Sequence, residues 1–289
     1  MLRKIDYSKT IETIQFHVEK YLKKYNIQSL VIGVSGGFDS GLNAALLKPI
    51  CDKLGIPLIG RYIHIETNKQ EERDRANAIG KMFCTDYKEI DLTSLYIYSI
   101  PYFEETTCPN TNLSYDEKIR RGNIKARLRM IHLYNLAQDR KGIVVDNDNL
   151  TEHLLGFWTI GGDIGDITPL ADLFKTEAYE LAKVYMSCLD TSEEKEALQS
   201  VIDAVPTDGL GITSSDVEQF GVKSYNEVDE ILYQIVFNRE NAKEILKNKY
   251  DEETINKVLS RHINSNFKRN HPYRISIGNC IDDLSNINT

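Results

Sequence analysis

The octet at residues 33–40, Gly-Val-Ser-Gly-Gly-Phe-Asp-Ser, constrains the fold of this chain more than any other segment. It follows a strand-like run at residues 30–32 and precedes apolar residues with helical spacing at residues 42–50. A strand, a glycine turn and a helix N-terminus form an anion site, because glycines let backbone N–H groups approach phosphate oxygens and the helix end adds positive charge. Two serines of the octet supply hydroxyl donors, and Asp39 is a hard oxygen ligand for Mg²⁺. The octet therefore predicts a phosphate-binding turn at the end of a strand.

The residues after the last glycine separate this turn from another phosphate loop. A Walker A loop continues with lysine and then serine or threonine, whereas this chain continues with Phe38, Asp39 and Ser40. The octet instead resembles the SGGxDS loop of ATP pyrophosphatases, which cleave ATP between the α- and β-phosphates. By that resemblance the loop holds the departing pyrophosphate. The simpler interpretation, a glycine turn that only closes a strand–helix corner, gives the serines and the aspartate no task.

Composition narrows the class of protein. The chain has 289 residues, a formal net charge of −8 and five scattered cysteines without a CxxC pair. Such cysteine usage fits reduced thiols and argues against a zinc site or a disulfide framework. Neither an 18-residue apolar run nor a signal-peptide core is present. We therefore expect a cytoplasmic protein that engages no membrane and, given its acidity, no nucleic acid.

Strand-like and helix-like segments alternate in the first part of the chain. The predicted strands are residues 30–34, 57–63, 87–90 and 143–145, and the predicted helices are residues 11–25, 41–54, 69–83 and 117–138. Pro49 is expected to kink or shorten the second helix. Alternation of this kind predicts an α/β fold with a doubly wound parallel sheet, whose ligands bind at the carboxyl ends of the strands.

The strand signal fades after Thr176. Helices are predicted at residues 177–186, 192–202, 226–237, 240–248 and 252–263. We expect one domain over residues 1–289, with an α/β ATP-binding core to about residue 175 and a mainly helical extension from about residue 176.

A basic helix is the second segment that could bind a ligand. Arg120, Ile124 and Arg127 share one helical face, and Arg121, Lys125 and Arg129 share another. Such edges can bind phosphates or a carboxylate, and they can equally form a solvated basic face.

Two acidic loops follow the predicted fourth strand. In residues 146–153, Glu152 could hold Mg²⁺ together with Asp39, although residues 146–149 are also typical of a turn with a helix cap. Residues 156–170 combine glycines, two acids and the single tryptophan, which suits a ligand lid or an ordinary surface loop. Lys175 then begins another helix.

In this order, the segments resemble ammonia-dependent NAD synthetase over roughly residues 10 to 275. The resemblance rests on the octet and on further motifs, which are residues 121–127 (Arg-Gly-Asn-Ile-Lys-Ala-Arg), Glu152, Gly156-Phe157, Gly162-Asp163, Asp166, Pro169-Leu170, Lys175, Pro206-Thr207-Asp208, Leu210-Gly211-Ile212, residues 224–229 and Lys268-Arg269. The octet alone is shared with GMP synthetases and tRNA-thiolating enzymes, so the ordered set is what makes the resemblance specific.

The resemblance implies an adenine-nucleotide α-hydrolase-like fold and an ATP- and Mg²⁺-dependent ligase. The carboxylate of deamido-NAD attacks the α-phosphorus of ATP, and ammonia then displaces AMP to give NAD. Because the chain reaches the ATP loop at Gly33 without a glutaminase-like region, ammonia is the expected donor, with a separate glutaminase partner as its alternative source. The family also implies a homodimer.

Site residues follow from the matched positions. The implied ATP-binding residues are Gly33, Ser35, Gly36, Gly37, Asp39, Ser40, Asn147, Lys175 and Thr207. The implied catalytic residues are Asp39, Lys175 and Asp163, and the implied metal ligands are Asp39 and Glu152. The implied deamido-NAD contacts are Arg127, Asp166 and Lys268. The chain departs from the family pattern at Ile160, where lysine is common, and at Phe267, where histidine is common.

Two other functions remain open at this point. One is another SGGxDS-loop adenylating enzyme, acting on a different acid or thiolating tRNA, for which Cys108 is the only plausible thiol. The other is a nucleotide-binding homologue without catalysis, a hypothesis motivated by Ile160 and Phe267.

Overall fold

A four-stranded parallel sheet forms the centre of the protein, seen in a computed structural model that describes residues 3–66, 69–104, 113–207, 215–238 and 242–275. The strands are β1 (Leu30–Gly33), β2 (Leu58–His64), β3 (Asp86–Asp91) and β4 (Ile143–Val145). Their order across the sheet is β3-β2-β1-β4, so the chain crosses from one side of β1 to the other after β3.

Helices cover both faces of this sheet. Those of the first half are α1 (Tyr7–Lys24), α2 (Phe38–Leu54), α3 (Gln70–Phe83), α4 (Thr93–Phe103) and α5 (Tyr115–Asp139). Leu30 and Ile32 of β1 pack into one apolar cluster with α1, α2 and α3, whereas Val31 packs into another with α4 and α5. Because alternate residues of one strand serve opposite clusters, the prediction of a doubly wound α/β fold is confirmed.

Eight helices follow β4 in the part of the chain that the structure describes, and five of them, α6 and α9 to α12, contribute to a third apolar cluster. The eight are α6 (Leu150–Leu155), α7 (Lys175–Tyr185), α8 (Ser192–Ile202), α9 (Asp216–Phe220), α10 (Tyr225–Phe237), α11 (Ala242–Lys247), α12 (Glu252–Asn264) and α13 (Asn266–Arg269). Helices α7 and α8 also cover the sheet, since Leu181 and Leu198 belong to the same cluster as β1. Phe174, directly before α7, belongs to the third cluster, so α7 joins the two.

Most element bounds match the sequence prediction within a few residues, and three differences are informative. Helix α4 was missed because residues 93–103 contain no charged side chain and therefore no amphipathic period. Helix α2 begins at Phe38 rather than residue 41, which brings Asp39 into its first turn. Pro49 lies inside α2, which continues to Leu54, so the expected shortening is wrong, while the kink stays a prediction. The carbonyl oxygen of Ala45, which Pro49 cannot satisfy, accepts the hydroxyl of Tyr185 at 2.9 Å.

Several sequence features fall outside the described residues, namely Cys108, Asp208, the 210–212 motif and the predicted start of a helix at residue 240. In the described ranges, the helices are all too short or too polar to cross a membrane.

Candidate active site

A cavity of about 570 Å³ opens at the carboxyl ends of β1, β2 and β4. It brings together most of the residues singled out from the sequence, which are Gly33, Ser35, Gly37, Asp39, Ser40, Arg127, Asn147, Glu152, Asp163, Lys175, Thr207 and Lys268. Two predicted site residues, Gly36 and Asp166, are absent from its wall. The location agrees with the rule that α/β proteins bind ligands beyond the carboxyl ends of their strands.

The glycine turn at one end of the cavity is held by its own hydroxyl groups. The backbone N–H of Ser35 donates to Oγ of Ser40 at 3.2 Å, and that hydroxyl donates to the carbonyl of Gly37 at 3.1 Å. Gly36 has φ +80°, and its carbonyl accepts Nε of Arg75 from α3 at 2.8 Å. The turn is thereby fixed with the N-terminus of α2 facing the cavity, an arrangement suited to phosphate.

Lys175 forms the centre of charge in the site. Its ammonium group contacts Oδ2 of Asp39, and it lies 3.3 Å from Oε1 of Glu152. Burial alone would lower the pKa of Lys175, but the two carboxylates raise it well above its usual value, so the ammonium remains charged. Burial raises the pKa of Glu152, an effect that Lys175 opposes.

The two carboxylates fit a role in binding Mg²⁺. They belong to different segments, α2 and α6, yet they converge on one ammonium group. In the described ranges no cluster of three or more His, Cys, Asp or Glu side chains could hold a metal by itself. Mg²⁺ commonly binds one or two carboxylates and completes its shell with water and substrate phosphates. The donor set therefore suits a metal that arrives with a nucleotide.

A buried carboxylate of α10 fixes the two helices that carry these charges. Asp229 accepts the hydroxyl of Thr151 at 2.5 Å, and it accepts the hydroxyl and N–H of Thr176 at 2.7 and 2.9 Å. Burial raises the pKa of Asp229 to about 6. The N–H of Lys175 also donates to the hydroxyl of Thr151 at 2.8 Å. Glu152 and Lys175 are thus positioned through a shared network.

The loop after α6 forms the opposite wall. Asp163 accepts the N–H of Thr159 at 2.6 Å, and burial raises its pKa. Arg127 donates to the carbonyl of Ile160 through Nε and Nη2 at 3.2 and 3.1 Å. From α13, Lys268 donates to the carbonyl of Gly156 at 2.7 Å. Both predicted substrate cations therefore hold the backbone of the loop.

Comparison with known proteins identifies the family. The family model for NAD synthase matches residues 10–272. The chain belongs to the NAD synthase family. This membership confirms the family recognised in the sequence and an enzyme of the NAD synthetase-type ligase class.

Individual relatives support the same conclusion. The chain is 33% identical over 271 residues to the NH3-dependent NAD(+) synthetase of Thermoplasma acidophilum, covering 93% of this chain and 98% of that relative. Its fold is similar to that of NMN synthetase from Francisella tularensis, with a TM-score of 0.74, 22% identity and coverage of 95% and 98%. It is also similar to the NH3-dependent NAD synthetase from Campylobacter jejuni subsp. jejuni, with a TM-score of 0.71, 24% identity and coverage of 94% and 100%.

Within this NAD synthase fold, Asp166 lies at the sheet rather than in the cavity wall. Its Oδ2 accepts the backbone N–H of Val144 at 2.8 Å, and its own N–H donates to the carbonyl of Val144 at 2.8 Å. Ile167 then pairs in parallel with Val145. Asp166 thus extends the edge of the sheet, and its contact with deamido-NAD stays a prediction.

The basic helix α5 divides between structural and cavity-facing residues. Arg121 forms two bonds of 2.9 Å with Glu104, and Lys125 forms an ion pair of 2.8 Å with Glu66. Arg127 and Arg129 line the cavity. Each of the two basic edges therefore contains at least one residue that lines the cavity, so neither is simply a solvated basic face.

Asn147 and Asn149 show how the loop after β4 serves the site. Asn147 donates to the carbonyl of Gly33 at 3.1 Å, and Asn149 donates to Oδ1 of Asp39 at 3.0 Å. Asn149 also caps α6, as the helix-cap interpretation predicts. The loop thus combines capping with the support of Asp39.

Sequence reasoning assigned no specific site role to several ionisable residues of the cavity wall, among them Arg129, Asp148 and Arg261. Arg129 lay in a motif that offered a signal, since it belongs to the basic helix. In the sequence, Asp148 was only one of several adjacent residues whose side chains carry oxygen atoms. Burial raises its pKa well above the usual value, with Asp146 and Glu152 adding to the effect. Arg261 had no sequence signal, because a charged residue on an amphipathic helix normally faces water.

Proposed function

We propose that this member of the NAD synthase family converts deamido-NAD, ATP and ammonia to NAD, AMP and pyrophosphate through an adenylated intermediate. The observation that carries the proposal is the ammonium group of Lys175 between Asp39 and Glu152, beside the glycine turn. The relatives named as NH3-dependent NAD(+) synthetases, aligned over almost their full length, support the same reaction.

In the first step, a carboxylate oxygen of deamido-NAD forms a bond to the α-phosphorus of ATP as the bond to the β-phosphate oxygen breaks. Negative charge accumulates on the departing pyrophosphate. The backbone N–H groups at the start of α2 and the ammonium of Lys175 are fixed donors for that charge, so they stabilise the transition state without reorganising. Mg²⁺, held by Asp39 and Glu152, would neutralise further phosphate charge when bound.

In the second step, the nitrogen of ammonia bonds to the acyl carbon while the bond to the AMP oxygen breaks. The new amide must lose one proton. Asp163 lines the cavity, and burial raises its pKa above the ordinary value, which makes it a better proton acceptor than an exposed aspartate. We assign this role to Asp163, and we propose free ammonia as the donor, supplied alternatively by a separate glutaminase.

A product assay tests this reaction. Wild-type protein with ATP, Mg²⁺, ammonium and deamido-NAD should release AMP, pyrophosphate and NAD in equal amounts. Asp39→Ala should lower kcat/KM by at least about 10³-fold, because the lysine and the metal lose a shared ligand. Asp52→Ala is the matched control, since Asp52 lies on the same helix and pairs with exposed Lys48.

Each failure of this assay has a distinct meaning. AMP and pyrophosphate without NAD would indicate that the adenylated acid is not deamido-NAD. Tight ATP binding without any turnover would support the catalytically inactive homologue. Equal activity of the Asp39→Ala and Asp52→Ala variants would contradict the role of Asp39.

We also propose that the enzyme is a homodimer that associates through α4. Five apolar side chains of this uncharged helix are exposed, and they are Leu95, Ile97, Tyr98, Tyr102 and Phe103. Monomers seldom expose such a contiguous apolar surface. A second copy is the occupant we infer, because an uncharged apolar patch is complementary to itself across a two-fold axis.

Light scattering after size exclusion tests the dimer. Tyr98→Asp combined with Tyr102→Asp should raise the dissociation constant by about 30-fold or more, because four carboxylates would enter one apolar interface. Phe16→Asp, a change at an exposed aromatic residue of α1, should leave the mass unchanged. A wild-type monomer, or a dimer that survives the double substitution, would refute this interface.

For the cellular setting we propose the cytoplasm. Cys51 and Cys84 are free thiols, and burial raises the pKa of each to about 12, which keeps both unreactive. The small-molecule substrates of the proposed reaction fit the same compartment.

A further inference from the structure

Arg261 of α12 is a cavity-lining cation for which the described residues provide no hydrogen-bond or ion-pair partner. Its guanidinium carbon lies 5.1 Å from the ring centroid of Phe157 and 5.1 Å from that of Phe220. Its Nε is buried without a hydrogen-bond acceptor, and among the residues that the structure describes no carboxylate forms an ion pair with it. The two rings therefore orient the guanidinium, while its Nε–H has no acceptor among the described residues.

The other cations of the wall contrast with Arg261. Lys175 is paired with two carboxylates, and Arg75, Arg127 and Lys268 each donate to a backbone carbonyl. Arginine stays protonated in proteins, so a buried guanidinium without an acceptor carries a desolvation cost that a bound anion would offset. An anionic ligand in the cavity would therefore supply the acceptor that Arg261 lacks.

The charges near Arg261 also indicate an anion. Burial lowers the pKa of Lys268, and the positive charge of Arg261 lowers it further, so the two cations lie close enough to repel each other. Asp216, an acid whose charge raises the pKa of Arg261 against the effect of burial, accepts the hydroxyl of Tyr225 at 2.8 Å. An anion between two like charges relieves their repulsion, and a phosphate can accept two parallel bonds from one guanidinium.

We propose that Arg261 is a phosphate-binding residue that contacts a phosphoric anhydride group in this cavity. The inference rests on the proposed function for the identity of the ligands, since ATP and the dinucleotide both carry such a group. The ring centroids of Phe157 and Phe220 lie 4.8 Å apart in a T-shaped pair, and this pair can orient the guanidinium because ring contacts use none of its N–H donors.

Calorimetric binding of ATP and, separately, of deamido-NAD tests the assignment without turnover. Arg261→Met keeps an apolar stem against the two rings and removes the charge. Its affinity for one of the two ligands should fall by at least about 10-fold, and the affected ligand identifies which phosphate is contacted. Lys257→Met removes a charge from the same helix, where Lys257 pairs with exposed Glu253, and it should leave both affinities unchanged.

The outcomes are decisive in either direction. Unchanged affinity of Arg261→Met for both ligands, or equal weakening by Lys257→Met, overturns the proposal. Should Arg261→Met not fold, Arg261→Lys decides: an ammonium cannot form the two parallel bonds, so weakening of about threefold or more supports the proposal and unchanged affinity overturns it. A wild-type protein that binds ATP but forms no NAD would refute the proposed function, while the ATP arm would still test Arg261.

Discussion

Replacing Lys175 with methionine is expected to lower kcat/KM for ATP by at least about 10³-fold, because the departing pyrophosphate loses its fixed cation. The same change should lower the free energy of unfolding by about 3 kcal/mol at pH 7.5, since Asp39 and Glu152 lose the ammonium group that they share. Steady-state release of pyrophosphate and urea denaturation measure the two effects.

The stability deficit should depend on pH in a defined direction. Burial already raises the pKa of Glu152 in the folded protein, and without Lys175 the strongest effect that opposes this rise is lost. Glu152 has a pKa of about 8 in the folded wild type and a higher one in the variant, so the variant takes up this proton first and its deficit relative to wild type should shrink as the pH falls from about 9.5 towards 8. A deficit of equal size at both values would contradict the shared-cation account.

A lysine on the outer side of the same helix supplies the control. Lys183 of α7 pairs with exposed Glu180, so Lys183→Met should change the free energy of unfolding by less than about 0.5 kcal/mol and leave turnover intact. Comparable losses in both variants would mean that α7 tolerates no methionine, and the role of Lys175 would be refuted.

Gly36→Ala is expected to destroy the nucleotide site from a position that does not line the cavity. Gly36 has φ +80°, and a Cβ at this position would lie 2.1 Å from the carbonyl oxygen of Glu72 in α3. The turn and α3 cannot both keep their places. We expect ATP affinity to fall by at least about 100-fold, because the N–H groups that face the phosphate move with the turn.

Gly55→Ala separates the steric clash from the backbone strain. Gly55 ends α2 with φ +65°, yet a Cβ there would meet nothing within 4 Å. This variant should lose only the roughly 1–2 kcal/mol that an L-residue requires in the left-handed region, and it should bind ATP normally. If Gly36→Ala lost no more stability than Gly55→Ala and bound ATP equally well, the close approach of α3 to Gly36 would not matter for ATP binding.

The part of the site that could be predicted from the sequence is the part encoded by local chemistry. The glycine turn needs particular residues at consecutive positions, so Gly36, Asp39 and Ser40 were identified together. The motif order then identified Glu152 and Lys175. Asp39 and Glu152 converge on the ammonium group of Lys175 because of where α2, α6 and α7 lie in space, and no local pattern contains those distances.

The missed features share a physical reason. Helix α4 lacks charged residues, so it has no polar face by which a periodicity could be recognised. Arg261 looks in the sequence like the solvated side of an amphipathic helix, and only the rings of Phe157 and Phe220, from distant segments, give it a defined place. Asp166 is the opposite case: it belongs to a recognised motif, but its side chain accepts a hydrogen bond from the backbone of β4 instead of lining the cavity.

Asp229 has a consequence for the interpretation of natural variation. Its carboxylate accepts hydrogen bonds from both Thr151 and Thr176, and these residues adjoin Glu152 and Lys175 in the chain. Positions 151, 176 and 229 should therefore change together among relatives, since three donors must match one acceptor. An inherited substitution at position 229 would then behave as an active-site lesion, although its side chain lies outside the cavity wall.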